Sequence, residues 1–157
     1  MDLVPWLHLV HITAATVWVG GGVTESVIGA RARRSENPVV IADFARLLSY
    51  VGLRVFTPAI VVVLLSGIGL VLADSEWNFT QAWVLLALGA FAVAFLIGAI
   101  YLGRNALRLG RLADDANMSV PAARALLGRW LAGYVVVLFV LLFALWDMVF
   151  KPWLNAA

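Results

Sequence analysis

Four stretches of the chain are apolar on every side, at about residues 5–30, 55–73, 82–102 and 130–150. A helix needs roughly 20 such residues to cross a hydrocarbon core about 30 Å thick. Each stretch therefore predicts one membrane-spanning helix. Helical spacing continues outside the spans. In "SENPVVIADFARLLSYVGLR" Pro38 follows polar Asn37, and Val40, Phe44, Leu47, Leu48 and Val51 share one side. In "NMSVPAARALLGRW" Ser119 can serve as N-cap, with Pro121 close to the first helical position. Spans 2 and 4 are thus expected to project beyond the bilayer as amphipathic extensions, lying along the membrane surface or presenting a docking face. Ala90, Ala94 and Gly98 in span 3, and Gly20, Gly21 and Gly22 in span 1, let other helices approach closely. The expected fold is an all-α membrane protein, one domain over residues 1–157, built as a four-transmembrane-helix antiparallel bundle. Small-residue stripes also serve homodimers and larger membrane complexes, so the oligomer stays open.

Composition agrees with the pattern. Hydrophobic residues make up 64% of the chain and charged residues 13%, against roughly 45–50% and about 25% in soluble proteins. The arginines do more than confirm the membrane. Arg31, Arg33, Arg34, Arg46 and Arg54 lie between spans 1 and 2, and Arg104, Arg108, Arg111, Arg124 and Arg129 between spans 3 and 4. The 2–3 connection, "DSEWNFTQ", has no basic residue. The arginine-rich loops are therefore expected on the cytoplasmic side of the cell membrane, with both termini and the 2–3 loop outside. That bias accounts for the net charge of +2 without a nucleic-acid partner. Trp6, Trp77, Trp83, Trp130, Trp146 and Trp153 fall near span ends, as interfacial belts require. The absence of cysteine excludes disulfides, thiolate metal sites and covalent haem attachment. Acidic Asp2, with no basic segment ahead of span 1, argues against a cleavable signal peptide.

Ionisable groups within spans are expensive, and each is a site hypothesis. Span 1 carries both histidines of the chain, His8 and His11, and also Glu25. His11, Trp18 and Glu25 are seven residues apart, with His8, Ala15 and Gly22 beside them, so they share one helix face that should point into the bundle. Imidazole at neutral pH is a ligand, a proton carrier or a hydrogen-bonded structural group. At i and i+3, His8 and His11 can both reach one copper or zinc ion, with Asp147 in the same leaflet as a third ligand. They cannot ligate opposite faces of one haem, because they project from one side of one helix. One of them can be a single axial ligand, with Lys151 in the same leaflet as a candidate second ligand, although spacing alone favours an interfacial anchor that snorkels to water.

"LHLVHITAATVWVGG" resembles the first span of the HemJ-type protoporphyrinogen IX oxidases, where a histidine precedes a tryptophan by seven residues. "VFTPAIVVVLLSGIGLVLA", "AWVLLALGAFAVAFLIG" and "GRWLAGYVVVLFVLLFALWDMVFKPW" resemble their second, third and fourth spans in order. The first motif is also similar to the copper-resistance D proteins. The resemblance implies a haem b or porphyrin site near the outer leaflet, with His11 and Lys151 as its main residues. Around such a site Trp18 is expected as a packing wall and His8 as a group that supports the ligand or relays protons. It implies redox chemistry of the porphyrinogen-oxidase kind. The chain departs from that family where "VTESVIGARARR" follows span 1, where Leu131-Ala132-Gly133 opens span 4, and in having no histidine in or after span 3. Two other readings stand beside haem: a non-catalytic accessory subunit of a larger membrane complex, and a copper-handling protein.

Overall fold

The computed structural model describes residues 3–115 and 117–151. They form four long helices: α1 (Leu3–Arg34), α2 (Pro38–Ala73), α3 (Ala82–Ala113) and α4 (Val120–Phe150). Their connections are short, so successive helices run antiparallel, and the expected four-span bundle is what forms. Trp153 and the Pro152–Trp153 step lie outside the described residues.

The helices are longer than a membrane requires. At 1.5 Å per residue, 31 to 36 residues span about 46–54 Å, against a hydrocarbon core of about 30 Å. The surplus lies at the arginine-rich end. There the first part of α2, Pro38–Val51, packs against the last part of α3, Gly103–Ala113, and against α1 and α4. Asn37 caps α2 by accepting the Val39 amide at 2.9 Å, ahead of Pro38, as the sequence suggested. Both extensions pack into the helix bundle. Ile41, Ala42, Phe44, Ala45 and Leu48 are buried with Leu109 of α3 and Leu127 of α4. The buried face is therefore rotated from the expected one, since Val40 and Leu47 are exposed. The extension of α3 runs through Arg104, Arg108 and Arg111, which sit on a helix rather than in a loop. Leu109 buries one side of that helix and the arginines coat the other. In both α2 and α3 a widened π-type turn, Gly52–Phe56 and Ile97–Leu102, separates the extension from the span.

Small residues form the seams. On α1, Ala14, Trp18, Gly22, Glu25, Gly29 and Ala32 are buried at spacings of three and four, so the polar face does turn inward. Gly22 gives the closest approach: the Tyr134 hydroxyl of α4 occupies the space a Cβ would need, and points at the Trp18 carbonyl 3.5 Å away. Ala87, Ala90 and Ala94 line the α3 side of the contact with α4. Two belt tryptophans move to the interior: Trp130 stacks on Tyr134 and meets Phe44 edge-on, and Trp83 is 5% exposed. Trp6 and Trp146 stay exposed, as a belt requires.

Candidate binding site in the arginine-poor half

The two ends of the bundle are closed differently. α1 packs on both Thr57–Ala73 of α2 and on α4, and α4 packs on α3. Between Thr57–Ala73 and Ala82–Leu96 there is no Cα–Cα approach within 8 Å. The arginine-poor half therefore has a seam between α2 and α3 with no backbone packed across it. The aromatic contacts beside it reach α3 from α1 and from the α2–α3 connection. Trp18 meets Phe91 edge-on at 5.9 Å, and Trp77 meets Trp83 edge-on at 5.2 Å.

His11 stands at the α1–α2 contact. Its Nδ1 lies 3.0 Å from the Ser66 Oγ, and its ring rests over Gly67, where a Cβ would come within 3.1 Å of Cε1. The Ser66 hydroxyl has one proton, which it donates to the Val62 carbonyl at 2.5 Å, with Val63 O a second acceptor at 3.2 Å. It must then accept from His11, which assigns the proton to Nδ1 and leaves Nε2 as the basic nitrogen. Ser66 was not among the sequence candidates. Its signal was present, as the one hydroxyl in the run "PAIVVVLLSGIGLVLA", but only the pairing of α1 with α2 gives it a partner.

His8 turns elsewhere. Its Nδ1 donates to the Val4 carbonyl at 3.2 Å and its ring meets Trp77 edge-on at 5.6 Å. Trp77 also receives Lys151, whose Nζ lies 4.1 Å from that ring centroid and 4.8 Å from the Trp83 centroid. Lys151 ends α4 in the left-handed conformation, φ 43° and ψ 53°, and donates its backbone N–H to the Asp147 carbonyl at 2.8 Å. The left-handed turn stops the helix and is followed in sequence by Pro152. His8, Trp77, Trp83 and Lys151 thus form one cluster over the end of the seam.

Asp147 is fully buried, and neither carboxylate oxygen has a partner among the described residues. The Trp83 Nε1–H is also buried and unpartnered. The metal set expected from His8, His11 and Asp147 is not brought together: among the described residues no three histidine or acidic side chains are placed to hold one ion. The physical reason is that His11 is committed to Ser66 on α2 and His8 to its own helix and Trp77. Trp18 is 5% exposed and packs edge-on against Phe91. Glu25 is buried further toward the arginine-rich end, with its Oε1 unpartnered among the described residues.

Residues 5–152 match the model of a family described as a predicted integral membrane protein, DUF2269. No curated protein and no solved structure matches the chain. The match covers nearly the whole chain, and the protein belongs to that family of integral membrane proteins.

Proposed function

We propose that this family member holds haem b, or a related flat porphyrin, in the seam between α2 and α3, with the Nε2 of His11 as its axial ligand. One observation carries the reading: the Nδ1 proton of His11 is committed to Ser66, so Nε2 is left basic at a fixed ring orientation. Metal-bound histidines nearly always have this arrangement, with the far ring N–H donated to a fixed acceptor. The likeness of the four spans to the HemJ-type oxidases points the same way, as does the aromatic lining of Trp18, Phe91, Trp77 and Trp83, whose faces and edges suit a macrocycle.

The donor set fits one axial ligand better than two. Lys151 carries its ammonium on two indole faces, which suits pairing with a propionate at the membrane surface more than ligation through a neutral amine. When bound, haem supplies one-electron redox chemistry. The chain's own share is to orient the ring through His11, to wall it with Trp18, and to hold a proton at the Nε2 of His8, whose Nδ1 is tied to Val4.

The test is an absorbance spectrum of gently purified protein in detergent, oxidised and dithionite-reduced, beside His11→Ala. A Soret band with sharp reduced peaks that disappear in the variant supports the reading. A flat spectrum after haem-replete expression overturns it.

A further inference from the structure

Far from that seam, at the arginine-rich end, the last turn of α1 and the first turns of α4 enclose an open cavity of about 440 Å³. It is lined by Ala30, Arg33, Arg34, Arg124 and Ala125. Three guanidinium groups share it and no carboxylate lines it. The ion pairs among the described residues involve neither Arg33, Arg34 nor Arg124; they join Arg46 to Asp43 and Asp114. Glu36, the carboxylate nearest in sequence, is exposed and unpaired among the described residues.

Arg124 is held in place by the fold, while Arg33 and Arg34 are exposed. Arg124 donates from Nε at 3.0 Å and Nη2 at 2.6 Å to the Ser35 carbonyl, so its fork ties the start of α4 to the end of α1. Arg33 crosses α4 at Gly128, where a Cβ would lie 3.2 Å from its Nε and 3.4 Å from its Cζ. Like charges gathered around a space repel one another unless an anion fills it. The alanines keep that space open and add apolar walls.

The position of the cavity along the helices bears on which anion can reach it. Arg124 lies 22 residues from Trp146, the exposed belt tryptophan at the other end of α4. That is about 33 Å of helix, one hydrocarbon thickness. The cavity therefore stands at the phosphate level of the arginine-rich leaflet. We propose that Arg33, Arg34 and Arg124 bind the phosphate of an anionic glycerophospholipid, the kind of headgroup that basic pockets between transmembrane helices take. Three uncompensated guanidinium groups favour a headgroup with no cation of its own, so phosphatidylglycerol is preferred to phosphatidylcholine.

The experiment is thermal melting of the detergent-purified full chain with added phosphatidylglycerol, phosphatidylcholine or soluble glycerol 3-phosphate. Phosphatidylglycerol should raise the midpoint by about 2–4 °C, and phosphatidylcholine should not. Arg33→Gln with Arg34→Gln should abolish the rise, leaving intact the Arg124 tie to Ser35. Arg104→Gln with Arg108→Gln, exposed on α3 and outside the cavity, should keep it. Equal loss in both double variants would reduce the effect to general surface charge and overturn the site. No rise with phosphatidylglycerol would overturn it as well. A rise of the same size with glycerol 3-phosphate would assign the cavity to soluble phosphate esters and overturn the lipid assignment.

Discussion

His11 and Ser66 meet across the α1–α2 interface with 3.0 Å between Nδ1 and Oγ, and the hydroxyl's own proton is engaged by the Val62 carbonyl. Removing that acceptor frees the imidazole to rotate and to change tautomer. Ser66→Ala should lower stability by about 0.5–1.5 kcal/mol, and in the haem-loaded protein should broaden the Soret band and reduce haem content. Ser66→Thr keeps the hydroxyl and should restore both. Denaturation in detergent and the haem-to-protein ratio are the readouts. A Ser66→Ala protein with the parent's spectrum and stability would remove Ser66 from any positioning role.

How much of this was legible follows from which residues depend on pairing. Hydropathy alone is enough for four spans, because burial in lipid demands long apolar runs whatever their neighbours. The Asn37–Pro38 start of α2 is legible for the same local reason: a cap needs only its own turn. The α3 extension was not, since Arg104, Arg108 and Arg111 lower its hydropathy while Leu109 is the one apolar residue beside Asn105 on its buried side. The face of α2 was misjudged because Val40 and Ile41 are equally apolar, and only the position of α3 decides which is covered. At the site, His11, Trp18 and Lys151 stood out by chemistry, whereas Ser66 and Tyr134 acquire meaning only through the helices opposite them.

The arginine-rich extensions make a second test of packing. Ile41 is fully buried and Val39 is 59% exposed, two residues apart on the same helix. Ile41→Ala should destabilise by about 2–5 kcal/mol, as large-to-small changes in a packed core do. Val39→Ala should stay within about 0.5 kcal/mol of the parent. Equal small effects at both positions would mean that the extension lies loose on the surface, and melting in detergent distinguishes the two.

Gly22 and Gly20 are neighbours in sequence with opposite surroundings. A Cβ at Gly22 would collide with the Tyr134 hydroxyl, while nothing lies within 4 Å of one at Gly20. Gly22→Ala should therefore destabilise by about 1–3 kcal/mol or more, through overpacking. Gly20→Ala should be neutral or stabilising by up to about 1 kcal/mol, because alanine is the better helix former. A tolerated Gly22→Ala would show that α1 and α4 do not approach as closely as the notch requires.

Asp147 presents the reverse case, a buried group whose removal should help. Neither of its oxygens has a partner among the described residues, and its side chain is fully covered. A carboxylate buried without partners is costly by several kcal/mol, and an amide of the same shape carries no charge to desolvate. Asp147→Asn should match or exceed the parent's melting temperature in the protein without added ligands. A clear loss of stability would reveal a partner for the carboxylate, and a search for a bound cation by elemental analysis would follow.

The sidedness of the bundle can be read directly, because the chain has no cysteine of its own. Ser75 lies in the connection between α2 and α3, and Glu36 in the one between α1 and α2; both are exposed. Ten of the 11 basic side chains fall at the Glu36 end, and positive charge is retained on the cytoplasmic side. Ser75→Cys should therefore react with a membrane-impermeant maleimide on intact cells, and Glu36→Cys only after permeabilisation. The opposite pattern would invert the bundle. It would also move the Arg33–Arg34–Arg124 cavity to the outer leaflet, and with it the lipid available to fill the cavity.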